Sequence, residues 1–540
     1  MSGAAPAPVK VEEPVMSSGC FTRLPLATVS ALLLAIGVFT AAPVASKPPA
    51  ASVTRGELRW LGRVTFGIDT ATVARYRLLG REKYLDEQLH PPRTPSQALD
   101  AAIAALPVTQ QTAQARLAAN RLEQQRINTL PNEDDKQAAR NALNQAANQA
   151  IYETAKRQLM RALDSPSQLR EQMTWFWMNH FSVFSGKANV RWTVAEYEEQ
   201  VRAHALGRFS DLVMATATSP AMLEYLDNAQ SAVGRINENY ARELMELHTL
   251  GVSGGRSGSA YTQADVQELA RVLTGVGLNF TDTPPKLSPA QQPLYVRRGL
   301  FEFNPARHDA APKTVLGHPI AGHGLSELED AVGVLCRQPA TARFISTKIA
   351  TYFVADEPPP ALVERMVRTF QKTDGSIAAV LHEMFLDGAF LAGLNATNGP
   401  VEKFKDPMQF VVSSLRLAYD GKTVTNYHPA IGWLQQLGEP LYGRVTPDGY
   451  PLTEGAWSSS GQLVRRFEIA RALGSGNAGL FNNDDNTPGP ATGFPLLTSR
   501  LFFEAIEPTL GTRARDALGR TSSQQEWNLM LLASPDWMQR

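Results

Sequence analysis

Cysteine is nearly missing from this chain: two occur in 540 residues, Cys20 and Cys336. Cys20 stands before the first apolar run and is expected to leave with it, so Cys336 would remain alone. That arithmetic excludes an intrachain disulfide framework, and also zinc sites of four cysteines or of two cysteines and two histidines. Net charge is missing too, with 52 Lys+Arg against 52 Asp+Glu. Such balance leaves no electrostatic footprint for nucleic acid or an anionic membrane surface. There is no Gly-rich phosphate loop ending in Lys-Ser/Thr, no Gly-x-Gly-x-x-Gly after a strand, no Cys-x-x-Cys-His and no His-Glu-x-x-His. No period of 20–50 residues appears, which excludes a solenoid. Gly251-Val252-Ser253-Gly254-Gly255 fits the letters of a nucleophile elbow. However, a helical pattern precedes it where a strand is required, and Gly251 reads better as a helix end.

What is present is an ordinary globular mixture, 43% hydrophobic and 19% charged. Residues 24–45, LPLATVSALLLAIGVFTAAPVA, carry no charge, stand between Arg23 and Lys47, and end in small residues. This is the pattern of a signal peptide; an uncleaved anchor is the alternative, and the only membrane attachment expected. Either way the remainder is expected to be exported, periplasmic or at the cell surface. The apolar core follows Cys20, which argues against a lipoprotein.

Beyond the linker-like KPPAAS at 47–52, helical periodicity dominates. Helices are expected at about 192–206, 219–228, 236–250, 262–276, 325–337, 340–354, 360–372 and 376–387 and over QFVVSSLRLAY. The expected fold is mainly α: a multi-helical globular body over 51–540, with a long helical hairpin and a few short strands or hairpins. Residues 110–163, rich in Ala, Gln, Asn and Arg, read as two antiparallel helices joined at Pro131-Asn132-Glu133. Their thin apolar stripe, Leu117, Leu122 and Leu130 against Leu143, Ile151 and Leu159, predicts a partly solvated arm. From Met173 the run MTWFWMNHFSVF is apolar almost all round and predicts a buried helix. Residues 281–300 predict a surface loop, FEFNPARHDAAPKTVLGHPI a short extended or hairpin segment, and 400–540 a C-terminal helical part.

Four groups of residues are chemically conspicuous. On a regular helix over 237–250, Glu243 falls among Tyr240, Leu247 and Leu250, with Asn239 and Glu246 at the edge and His248 elsewhere. A carboxylate inside an apolar stripe is costly unless it is paired or holds a cation. His180 projects with Met173, Phe176, Trp177 and Phe184, surroundings that keep an imidazole neutral and fit to be a base or a metal ligand. His308-Asp309, with Lys313, sits on an expected loop, and Asp227-Asn228 ends a helix. If Glu243, Glu246, His180, His248, His308 and Asp309 converge, they offer carboxylate and imidazole ligands to a divalent transition metal. Glu243, Glu246 and His180 would then be catalytic. If they do not, Glu243 pairs with Arg235 or Arg271, His180 bonds a backbone carbonyl, and His308-Asp309 forms a turn beside Lys313. Trp175 and Trp177 could stack on sugars, but read better as core.

Eight stretches together resemble one family: WLGRVTFG, WFWMNHFSVFSGK at 175–187, PAMLEYLDNAQS at 220–231, NENYARELMELHTLGV at 237–252, YTQADVQELARVLTG, HDAAPKTVLG, PDGYPLTEGAW and LLASPDWMQR. In order, from about residue 55 to the end, they resemble the bacterial family known as domain of unknown function 1800. The resemblance implies an exported or surface protein of mainly helical fold. It also implies a partner, because members are often encoded beside a second exported family. It supplies no reaction, and 110–163 and 281–300 look like variable insertions. Two functions are therefore expected: a binding or assembly role with a partner protein, or metal-assisted hydrolysis outside the cytoplasm.

Overall fold

The computed structural model describes residues 53–91, 96–252, 260–281, 283–396, 401–485, 487–490 and 493–540. The apolar run at 24–45 and Ser253 of the Gly-x-Ser-x-Gly stretch lie outside the described residues. Residues Ala51–Arg540 form one compact unit.

Its first helix, Arg55–Val64, begins at a capping box: Thr54 accepts from the Glu57 amide, and Glu57 returns a bond to the Thr54 amide. The two bonds satisfy amides that a helix start leaves open. Trp60, fully buried on this helix, donates its indole N–H to the Phe385 carbonyl at 3.0 Å. The contact closes 325 residues of chain into one core.

Most later helices fall where periodicity places them: Val190–His204, Gln263–Val272, Ser326–Cys336, Pro339–Phe353, Pro360–Lys372 and Pro407–Tyr419. The apolar run forms the helix Gln168–His180, with Trp177 fully buried and Trp175 5% exposed. Trp177 donates to the Ala205 carbonyl at 3.0 Å. Both tryptophans are therefore core, and the chain is mainly α.

Strand is confined to small sheets. Val276–Leu278 and Val296–Arg298 flank Phe301–Phe303 in an antiparallel sheet, with Val276 and Val296 both opposite Phe303. Thr314–Val315 pairs with His318–Pro319. The stretch 281–300 is thus loop only in part, because its last residues supply an edge strand.

The hairpin arms are Ala113–Thr129 and Glu133–Asp164, the second started by Asn132 and by three acidic residues in its first turn. Negative charge there complements the helix dipole. The arm is partly solvated as expected, with most of 118–146 exposed. From Ala147 onward it is buried against Val190–His204, and Arg157 and Arg161 both bind Glu198, whose side chain is 1% exposed. Alanines and paired charges make this interface, so a count of large apolar residues underestimates it.

Candidate functional site

The segment NENYARELMELHTLGV departs from a regular helix. Asn237 caps an α-helical turn, Glu238–Glu243, and Leu244–Thr249 continue as a π-helical turn ending at Leu250 and Gly251 (φ +85°). Bonds from i to i+5 place an extra residue in the turn, a device frequent at functional sites. The buried face is Tyr240, Ala241, Leu244, Met245, His248 and Thr249, a set that a step of about 100° also gathers on one half of the helix. This corrects the expected stripe of Tyr240, Leu247 and Leu250 in two respects. Glu243 lies with Glu246 and Leu247 on the half-buried side, outside the apolar stripe, and His248 points into the core.

Glu243 lines an open cleft of about 480 Å³. Phe184, Gly186 and Lys187 form one wall, Tyr225 and Leu226 a second, Asn239 and Glu243 a third, and Val445 and Pro447 a fourth. The backbone is tight on two sides, with Ala188 and Asp227 in the left-handed region at φ +46° and +60°. Such conformations persist only where surroundings hold them. Here Lys187 does so, its ammonium donating to the Tyr225 carbonyl at 2.6 Å and to Asp227 at 2.7 Å. The neighbouring Asn228 is fully buried and donates to the carbonyls of Leu273 and Val276. The fourth wall is pinned as well. Asn179 brackets Tyr450 by accepting from its amide and donating to its carbonyl, Tyr225 donates to the Val445 carbonyl at 2.7 Å, and Arg444 pairs with Asp448. Gly449 must be glycine: at φ +77°, an added Cβ would stand 2.2 Å from the Asn179 carbonyl oxygen.

Glu243 makes no hydrogen bond or ion pair among the described residues. Burial, then the neighbouring charges of Glu246 and Asp448, raises its carboxyl above the ordinary range. The expected partners are engaged elsewhere. Arg235 donates to the Gln230 carbonyl, and Arg271 is bound to Glu268 and Asp309. Glu246 accepts from Tyr261 at 3.2 Å.

His180 belongs to a second constellation, deeper than the cleft. Lys348 donates from Nζ to His180 Nδ1 at 2.9 Å, and His180 Nε2 lies 3.1 Å from the His248 carbonyl oxygen. An ammonium has no acceptor, so Nδ1 must accept and Nε2 must carry the proton. Burial, then Lys348 and His248, holds the imidazole well below the ordinary histidine range. His248 is fully buried against Phe181, with neither ring nitrogen bonded among the described residues, and burial depresses it to about 3. Lys348 has no carboxylate within ion-pair reach among the described residues. Burial lowers it to about 8, with Asp448 opposing.

His308 and Asp309 form a third, separate group. His308 Nδ1 bonds the Thr274 carbonyl at 2.7 Å, and its Nε2 lies 3.2 Å from Glu327. Lys313 donates to Glu327 at 2.6 Å. Asp309 is clamped by Arg271, which lowers its carboxyl. Lys313, expected as a surface pair, is buried, with a side chain 1% exposed.

The structure therefore brings Glu243 and Glu246 together at the cleft, and His180 and His248 together beneath it with rings 6.2 Å apart. His308-Asp309 is held in its own network. Among the described residues no three His, Cys, Asp or Glu side chains are arranged to hold a metal ion. Sequence reasoning passed over Lys348 and Asp448. The available signal was a lysine in RFISTKIATYF, where it shares a helix with Phe344, Ile345, Ile349 and Tyr352.

The cleft walls come from four of the segments that carry the family resemblance, and they sit in a mainly helical chain. The chain belongs to the family described as Protein of unknown function (DUF1800), matched over residues 59–539. No curated protein and no solved structure matches it.

Proposed function

We propose that the protein works outside the cytoplasm as a binding or assembly component, and that it holds a partner protein at the cleft around Glu243. The observation that carries this reading is an unpaired carboxylate with a raised pKa at the mouth of that cleft, beside Val445, which is 64% exposed. A partner segment that places a Lys or Arg against Glu243 and an apolar side chain against Val445 relieves both costs at once. The rigid walls support the reading, since preorganised surfaces lose little freedom on binding. Export rests on the apolar run at 24–45. No observation favours metal-assisted hydrolysis, because the imidazoles and carboxylates that would supply its ligands do not converge.

The test is site-specific photocrosslinking in the source cell. A crosslinker at Val445 is expected to trap one discrete protein that is lost when Glu243→Lys is added, whereas a crosslinker at Leu122, exposed on the hairpin, traps none. Identical patterns at Val445 and Leu122, or a Val445 product that survives Glu243→Lys, would sink the proposal.

A further inference from the structure

A separate cavity of about 280 Å³ lies between the first helix and the C-terminal segment. It is independent of the cleft around Glu243. Lys405 lines it, 5% exposed, with no hydrogen bond or ion pair from its ammonium among the described residues. Burial, then the charges of Arg466 and Arg540, holds this lysine well below the ordinary range, and no carboxylate opposes them. Its one compensation is the face of Trp537, 3.6 Å from the ring centroid. By contrast Lys403, two residues earlier, is bound to Asp356.

Arg540 lines the same cavity, also without a carboxylate within ion-pair reach among the described residues. Its guanidinium donates to the Tyr352 carbonyl and rests on the Tyr352 ring. Arg59 lines it too, with Glu402 only loosely placed at 3.8 Å. Asp536, the other acid in the wall, accepts from the Gly511 amide. Positive charge is therefore in excess, and part of it is buried without a partner. Leu58, Ile506 and Leu510 complete the wall with apolar surface. A cation left in a cavity is costly unless an anion enters.

From this juxtaposition we propose that the cavity binds a small monocarboxylate with an apolar body, such as a short-chain or aromatic carboxylate. The carboxylate meets Lys405 and Arg59, and the body lies against Leu58, Ile506 and Leu510. The volume sits at the low end for small-molecule sites, which restricts the body to a few carbons or one ring. A bare inorganic anion would leave the apolar wall unfilled, and a long acyl chain would not fit.

The test is calorimetric titration of the full chain with hexanoate and benzoate. Hexanamide serves as the neutral counterpart, inorganic phosphate as the bare anion and dodecanoate as the long chain. One equivalent of hexanoate or benzoate is expected to bind. Affinity should fall at least about tenfold for hexanamide and for Lys405→Met, the loss expected when a charge-assisted contact in a buried site is removed. Should Lys405→Met fail to fold, Arg59→Gln at the same cavity is expected to weaken hexanoate binding in the folded protein. Absence of binding by both carboxylates overturns the proposal. So do equal affinities for hexanoate and hexanamide, or hexanoate binding that survives in the folded variants. Tighter binding of phosphate or dodecanoate than of hexanoate overturns the assigned ligand class.

Discussion

Lys348→Met should change how stability depends on pH, and the size of the change follows from the burial of the amine. In the folded chain Lys348 titrates at about 8, against an ordinary value of 10.5. Between those values the unfolded chain binds the extra proton and the folded chain does not, so stability rises with pH across the window. At about pH 7 the folded protein carries nearly the full cost of the buried ammonium, about 3 kcal/mol; at about pH 9.5 roughly half of that cost remains or less. Methionine has a similar reach and no charge, so the variant lacks this pH dependence. It also leaves His180 Nδ1 without its donor, a constant cost of about 1–3 kcal/mol. The assay is urea unfolding of both proteins at the two pH values. Wild type should gain about 2 kcal/mol on the variant between them, whatever the offset. Tyrosines and other lysines titrate in both proteins and cancel. Parallel pH profiles would refute the account of an uncompensated buried amine.

Two further outcomes test the polar networks. Glu198→Gln removes the buried carboxylate shared by Arg157 and Arg161 and leaves both guanidiniums to the more exposed Glu199; unfolding free energy should fall by about 1–3 kcal/mol, and a loss below about 0.5 kcal/mol would show the Glu198 carboxylate to be dispensable. Elemental analysis of the purified chain should find no stoichiometric transition metal. One equivalent of zinc, manganese or iron, lost in Glu243→Gln, would contradict the bonding assigned to His180 and revive metal-assisted hydrolysis.

Much of the fold was readable before any coordinates, because helices announce themselves locally. Apolar spacing located Val190–His204 and Pro360–Lys372, and the all-round apolar run located the buried helix ending at His180. The errors were equally physical. A stripe of Tyr240, Leu247 and Leu250 draws Glu243 into the core, because spacing alone does not say whether that face or the one carrying Leu244 and Met245 is buried. Thin apolar content matches the partly solvated arm but gives no sign of the buried stretch from Ala147 onward, because an interface of alanines and an Arg-Glu-Arg cluster leaves few large hydrophobes to count.

The sequence by itself therefore determined the helical class, the boundaries of most helices, the family and the residue types open to chemistry. Only the tertiary structure decided which of those residues meet. It set Glu243 without a cation at an open cleft, bonded His180 to Lys348, locked His308 and Asp309 into a separate network, and left Lys405 facing a cavity. The reason is one of range. Backbone hydrogen bonding and apolar period act over a few residues and leave their mark in local spacing. Hydrogen bonding between buried side chains joins positions such as His180 and Lys348, 168 residues apart, and depends on burial that exists only once the chain has folded.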